Sequence, residues 1–105
     1  MLSKTVGTVP GVCATTDTIT VVTGTQVYYC FKTENVDVVT HTIQNLVDDH
    51  LGTILDEVYT LAPGQTLQLI VADTVTGPVV NTAMWTAVDG SGSSADSATV
   101  NVSDP

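Results

Sequence analysis

The chain is short, acidic and rich in β-branched residues. Its 105 residues fit one domain, because compact domains usually span about 50 to 200 residues. Valine (18) and threonine (19) together favour strands over helices. Only 12% of the residues are charged and the formal net charge is -9. Because like charges repel, we do not expect nucleic acid or anionic membrane surfaces as partners. No apolar run approaches the roughly 18 residues that a membrane-spanning helix needs.

Alternation of apolar and polar residues predicts eight strands in chain order. They cover residues 2–8, 18–23, 26–34, 38–47, 53–60, 66–74, 79–88 and 95–102. Turn residues separate them at Thr23–Thr25, at Ala62–Gln65 and in the Gly/Ser loop 89–94. This spacing is typical of an all-β, antiparallel β-sandwich of about 7–8 strands. We therefore expect one domain over residues 1–105, with a linker-like end at 103–105.

Two of the predicted strands hold the aromatic residues that we expect in the core. In the run VYYCFKTE, Tyr29 and Phe31 share one face, whereas Cys30 shares the other with Lys32. In the run NTAMWTAV, Trp85 alternates with small residues that leave room for its ring. The alternative for Trp85 is an exposed indole that stacks on a sugar.

The two cysteines predict a single disulfide. Cys13 and Cys30 match neither a CxxC pair nor a zinc-binding spacing. A bond between them would attach the segment after Pro10 to the outer face of the third strand and stabilise the domain by about 3 kcal/mol. A disulfide also favours an oxidising, extracellular compartment. The alternative is two reduced, buried cysteines that act as small apolar residues.

The sequence offers little for catalysis, so we expect a protein that is not an enzyme. His41 and His50 are the only histidines, and neither lies in a nucleophile-elbow context. Asp48 and Asp49 are the candidate ligands for calcium, which prefers oxygen donors. Their spacing matches no EF-hand, and acidic residues in turns often face water or cap backbone amides. No other cofactor is expected.

Lys4 alternates with Leu2 and Val6 and is therefore predicted to point inward. A buried ammonium is costly unless it is paired or consumed. One outcome is an intramolecular isopeptide bond to Asn81 or Asn101, assisted by a buried acid, and such bonds resist mechanical extension. The alternative is that the lysine amine reaches water at the strand end, while Asn101 alternates toward solvent.

Several short motifs occur in an order that resembles one family. They are Lys4-Thr5-Val6-Gly7, Gly24 before VYYCF, Asp48-Asp49 followed by Leu51-Gly52, Leu61-Ala62-Pro63-Gly64, Asn81-Thr82-Ala83 and Asp96-Ser97-Ala98-Thr99-Val100. Over nearly its whole length the chain resembles the DUF11-like conserved-repeat family of bacterial and archaeal surface proteins. The resemblance implies an immunoglobulin-like sandwich, repeated in tandem along a large exported protein. One departure is Glu34-Asn35-Val36-Asp37, where the family usually has an Asn-Thr-Gly-type turn.

The resemblance implies a structural role rather than a reaction. We expect a spacer or stalk module of a secreted or cell-surface protein, extracellular or cell wall-associated, with neighbouring repeat domains as its partners. One alternative is an adhesin-type module that binds a glycan or protein ligand through loops 47–52 and 89–95. Another is a subunit of a surface filament that donates residues 1–12 as a strand to the next subunit.

Overall fold

The computed structural model describes residues 2–36, 38, 40–87 and 93–103. All eight predicted strands are found there, with ends that differ by up to three residues. The largest difference is at the start of the fourth strand, where Val38 is 94% exposed instead of packing in a sheet. The strands are Leu2–Gly7 (β1), Thr18–Val22 (β2), Thr25–Glu34 (β3), His41–Asp48 (β4), Gly52–Leu61 (β5), Thr66–Val75 (β6), Val79–Ala87 (β7) and Ser93–Ser103 (β8).

The strands form two sheets that pack face to face. One sheet has the order β1-β3-β6 and the other the order β2-β8-β7-β4-β5. The expected immunoglobulin-like sandwich is confirmed, because β1, β3 and β6 lie in one sheet and β4, β7 and β8 in the other, which is the strand arrangement of that fold. The expectation of antiparallel pairing is wrong for one pair, because β2 runs parallel to β8. Residues 8–17 cross from one sheet to the other, which leaves β2 in the same direction as the last strand.

The core lies between the inner faces of the two sheets. Tyr29, Phe31 and Trp85 are all buried there, with exposed fractions of 0%, 1% and 5%. Ala83 is fully buried on the same face of β7 as Trp85, so it makes room for the indole. Val and Leu side chains fill most of the remaining space, as period-two alternation in a sandwich requires.

The predicted disulfide between Cys13 and Cys30 is confirmed, with the two Cα atoms 5.2 Å apart. It holds residues 8–17 against the three-stranded sheet. The backbone carbonyl of Thr16 accepts a hydrogen bond from the N–H of Val6 at 2.9 Å, and the Thr16 hydroxyl donates one to the Val6 carbonyl at 3.2 Å. A Cβ added at Gly7 would lie 2.7 Å from the Ala14 Cβ, so only glycine permits this approach.

The turn after β5 and the end of β3 stabilise each other. The N–H of Gln65 donates to the Ala62 carbonyl at 3.0 Å, and Gly64 has a φ of +80, which fits a type II turn with proline before glycine. The backbone carbonyl of Asn35, directly after β3, accepts from the Gly64 N–H at 2.8 Å, and its side-chain amide donates to the Leu61 carbonyl at 2.8 Å. The buried Asn35 therefore connects the end of β3 to this turn.

Candidate functional site

The inward-pointing lysine of β1 is the most unusual side chain of the core. Lys4 is fully buried, with an exposed fraction of 0%. It lies opposite Phe31 in the β1–β3 pair, and its backbone N–H donates to Oδ2 of Asp96 in β8 at 2.7 Å. Lys4 therefore points into the core, as its alternation with Leu2 and Val6 predicts, and its amine does not reach water.

The partner of this amine is an aspartate of the opposite sheet. Asp48, the last residue of β4, is 1% exposed, and its Oδ2 is in direct contact with Nζ of Lys4. Its other oxygen, Oδ1, accepts hydrogen bonds from the backbone N–H groups of His50 at 2.9 Å and Leu51 at 3.0 Å. The β4–β5 turn therefore fixes the carboxylate in place, because both oxygens have specific donors.

A buried asparagine completes the cluster. Asn81 in β7 is 0% exposed and lies on the same face as Ala83, which is directly opposite Asp48. Residues placed diagonally in this way have Cα atoms about 7–8 Å apart, within reach of long side chains. Among the described residues, neither the oxygen nor the nitrogen of the Asn81 amide has a hydrogen-bond partner. An unsatisfied buried polar group costs about 1–3 kcal/mol, so this amide requires an explanation.

Two aromatic rings enclose the lysine amine. Nζ of Lys4 lies 4.9 Å from the ring centroid of Tyr29 and 5.3 Å from that of Phe31. Burial raises the pKa of the Tyr29 hydroxyl to about 12, and the charges of Asp73 and Asp48 act in the same direction. The Asn81 amide acts in the opposite direction and lowers this pKa, although no hydrogen bond of regular geometry joins the two groups. The Tyr29 hydroxyl therefore keeps its proton at neutral pH and can donate a hydrogen bond.

Burial also acts on the lysine. It lowers the pKa of Lys4 below its ordinary value, against the opposing effect of the contact with Asp48 and of the charges of Asp49 and Asp96. A neutral amine is the form that can attack a carbonyl carbon, and desolvation favours it. The cluster thus contains a nucleophile, a carboxyl group that can take and return a proton, and an amide, all shielded from water.

The structure does not bring together the two residues predicted to bind calcium. Asp48 points into the core toward Lys4, whereas Asp49 is exposed and its Oδ1 accepts from the N–H of Thr82 at 2.9 Å. Among residues whose placement is described, no group of three or more His, Cys, Asp or Glu could hold a metal ion. Asp48 therefore has a different partner from the one that its sequence context predicts.

The other candidates lie apart from this cluster. Asn101 is exposed on β8, opposite Thr20 of β2, so the structure does not bring it to the buried Lys4. His50 is half exposed, and its Nε2 lies 3.7 Å from Oδ2 of Asp73. The side chain of His41 and loop residues 89–92 lie outside the described part of the chain.

Sequence reasoning did not assign the roles of Asp48 and Tyr29 in this cluster. The signal for Asp48 is its phase, because it alternates with the buried Leu46 and so must share the inner face of β4. The inward direction of Tyr29 follows from its own strand, but the effect of the Asn81 amide on its hydroxyl depends on how the two sheets pack.

Comparison with protein-family models, with curated proteins and with solved structures finds no match for this chain. The resemblance to DUF11-like repeats consequently rests on the sequence motifs alone. In the described segments, no helix is long and apolar enough to cross a membrane.

Proposed function

We propose that this domain is a non-catalytic spacer or stalk module of a larger secreted or cell-surface protein, placed between neighbouring repeat domains of the DUF11-like type. The observation that supports this proposal most directly is the position of Leu2 and Ser103, the first and last described residues. They lie toward opposite ends of an elongated sandwich, so each module would add length to the parent chain.

Two hydrogen bonds fix the relative direction of the first and last strands. The N–H of Leu2 donates to Oγ of Ser94 at 2.9 Å, and that of Lys4 donates to Oδ2 of Asp96 at 2.7 Å. Strands β1 and β8 therefore run side by side in the same direction. Strand β8 continues to Ser103, about 30 Å beyond Ser94 at the usual rise per residue. The molecule measures 49 × 21 × 16 Å, so this span follows its long axis.

The hydrogen-bond geometry suits a load applied at these ends. Strand β8 pairs with β2 in parallel over five positions, from Thr18 opposite Thr99 to Val22 opposite Ser103. Tension on the chain ends pulls β1 and β8 in opposite directions along their own axes. The bonds of β8 are then loaded together in shear, rather than one after another, which raises the force that they withstand.

The binding-module alternative has less support from the loops. The β4–β5 connection within loop 47–52 consists of residues 49–51 only, and the carboxylates of Asp48 and Asp49 are used by Lys4 and by backbone groups. The filament alternative requires residues 1–12 to leave their own domain. Residues 2–7 of that segment already pair with β3 of their own domain at six positions, as an edge strand of its sheet.

The disulfide is compatible with an extracellular location, since such bonds persist in oxidising compartments. Placement at the cell surface or in the cell wall is part of the proposal. The acidic surface fits a repeated module, because Lys4 is buried and Lys32 is left as the exposed cationic side chain against a formal net charge of -9. Like-charged neighbours repel each other and stay soluble.

Single-molecule force spectroscopy tests this proposal. The domain is pulled through its two ends, and in a second preparation through Thr23 and Thr76, which lie in adjacent turns at one end of β3 and β6. The second geometry separates β3 from β6 one hydrogen bond at a time. We expect a clearly higher unfolding force for the end-to-end geometry. Equal or lower resistance there would contradict a load-bearing role, and a saturable ligand on a glycan or protein array would favour the binding module.

A further inference from the structure

We propose that Lys4 and Asn81 form an intramolecular isopeptide bond, and that Asp48 transfers the proton that the reaction requires. The bond would join β1 of one sheet to β7 of the other through the core. It deepens the mechanical role proposed above, on which its biological purpose rests, but the bond itself is a chemical property of the folded chain. A mass measurement tests it without any assumption about load.

Burial and pairing of the three side chains support the bond. Lys4, Asp48 and Asn81 are all 1% exposed or less, in a core that is otherwise almost entirely apolar. A structural ion pair between Lys4 and Asp48 explains two of these residues but not the third. Asn81 occupies an inward position of β7 in line with Ala83 and Trp85, where an apolar residue is expected, and its amide has no partner among the described residues. The buried position of Asn81 is explained if its amide is the group that the Lys4 amine attacks.

The reaction begins with the contact that the structure shows. The ammonium of Lys4 gives a proton to the carboxylate of Asp48, which leaves a neutral amine and a carboxylic acid. The lone pair of Nζ attacks Cγ of Asn81, so that a carbon–nitrogen bond forms. One N–H proton of the attacking amine passes through Asp48 to Nδ2 of Asn81, the Cγ–Nδ2 bond breaks, and ammonia leaves. Ammonia then takes the proton that Asp48 retained and departs as ammonium, so no oxidant, reductant or other reactant is needed.

The neighbours of the cluster suit this step. The buried hydroxyl of Tyr29 has no hydrogen-bond partner among the described residues, like the Asn81 amide, and it keeps its proton, so it is a donor that can stabilise negative charge on the amide oxygen during the attack. The turn after β4 holds Oδ1 of Asp48, which directs Oδ2 toward Lys4. The rings of Tyr29 and Phe31 exclude water that would otherwise solvate the amine.

A bond from Lys4 to Asp48 itself is the competing product. It would release water instead of ammonia, consume the only carboxyl group in contact with the amine among the described residues, and leave the Asn81 amide buried without a partner. The geometry therefore favours Asn81 as the group attacked. The two products differ in mass, so the experiment separates them.

Intact mass spectrometry of the purified domain is the deciding measurement. After full reduction of the disulfide and denaturation, we expect a mass about 17 Da below that of the linear chain, which corresponds to loss of ammonia. A loss of about 18 Da would assign the bond to Asp48 and overturn the assignment to Asn81. A mass equal to that of the linear chain would overturn the bond altogether, while the force experiment would still decide the spacer proposal.

Digestion with trypsin locates the bond. Lys4 and Lys32 are the only two cleavage sites, because the chain has no arginine and no other lysine. In the reduced, denatured protein without the bond, trypsin releases residues 1–4, 5–32 and 33–105. With the bond, Lys4 is no longer cleaved, and residues 1–32 stay attached to 33–105 through Asn81. Separate peptides 1–4 and 33–105 would contradict the assignment.

Variants test the roles of Asp48 and Lys4. Asp48→Asn keeps the shape of the side chain but removes the proton acceptor, and we expect it to retain the linear mass with a circular dichroism spectrum typical of strands. Lys4→Met, which lacks the amine, is expected to give the same result. The matched control is Asn101→Ala on the exposed face of β8, which must react as the unmodified chain does. A mass loss of about 17 Da in folded Asp48→Asn would refute the proton-transfer role.

Discussion

The Lys4→Met variant allows the amount of chain protected by the proposed bond to be measured as a length. In the unmodified domain, tension enters at Leu2, passes to Lys4 and crosses to Asn81. Residues 5–80 then form a closed loop outside the line of force. In the variant the same residues lie in that line and extend when the domain unfolds.

The expected lengths follow from the positions of the crosslinks. With the bond, residues 2–4 and 81–103 extend, which gives a gain of about 60 Å at about 3.5 Å per residue after subtraction of the folded span. Without it, residues 2–103 extend except for the stretch bypassed by the disulfide, whose Cα atoms are 5.2 Å apart. The gain is then about 270 Å, more than four times larger.

The assay is force spectroscopy of each protein between two marker domains of known unfolding length. Addition of a reductant supplies an internal control, because Cys13 and Cys30 both lie inside the loop between residues 4 and 81. Reduction should lengthen the gain of Lys4→Met by about 55 Å and leave that of the unmodified domain unchanged. A gain of about 270 Å in the unmodified domain would refute the reasoning.

Three further predictions concern stability. Trp85→Ala should lower the free energy of unfolding by about 3–5 kcal/mol in urea titrations, because the indole is 95% buried beside Ala83; a loss below about 1 kcal/mol would place it at the surface. Reduction of Cys13–Cys30 should lower the stability by about 3 kcal/mol and reduce Tm, and an unchanged melt with both thiols alkylated would contradict this. The pKa of Tyr29 rises from 10.0 to about 12 on folding, so the folded state holds its proton more tightly. Stability should therefore fall between pH 10 and pH 12, by up to about 3 kcal/mol more than in Tyr29→Phe, whereas parallel pH curves for the two proteins would exclude the effect.

The strands were predictable because their information is local. Alternation in VYYCFKTE places Tyr29 and Phe31 inside, and proline before glycine in Ala62–Gln65 specifies the turn that the structure shows. The parallel pairing of β2 with β8 was not predictable in this way. The direction of a strand relative to a partner about 80 residues away depends on how residues 8–17 cross between the sheets, and alternation contains no information on that path.

The site was predictable in part for the same reason. The phase of Lys4 follows from its own strand, but its partner comes from the other sheet. Two adjacent aspartates at a strand end resemble a cation-binding turn, which is why the sequence indicates Asp48 as a candidate calcium ligand. Its alternation with the buried Leu46 indicates instead that it points inward. The choice between Asn81 and Asn101 required the packed sandwich, which buries the first and exposes the second.

The dual role of Asp48 has a kinetic consequence. One oxygen closes the β4–β5 turn and the other contacts a lysine of the opposite sheet, so the contact exists only after both sheets have formed and packed. A chain that is still unfolded has no reactive centre and cannot be joined at the wrong place. The proposed bond would thus follow folding as an irreversible last step, and only molecules that have reached the native topology would contain it.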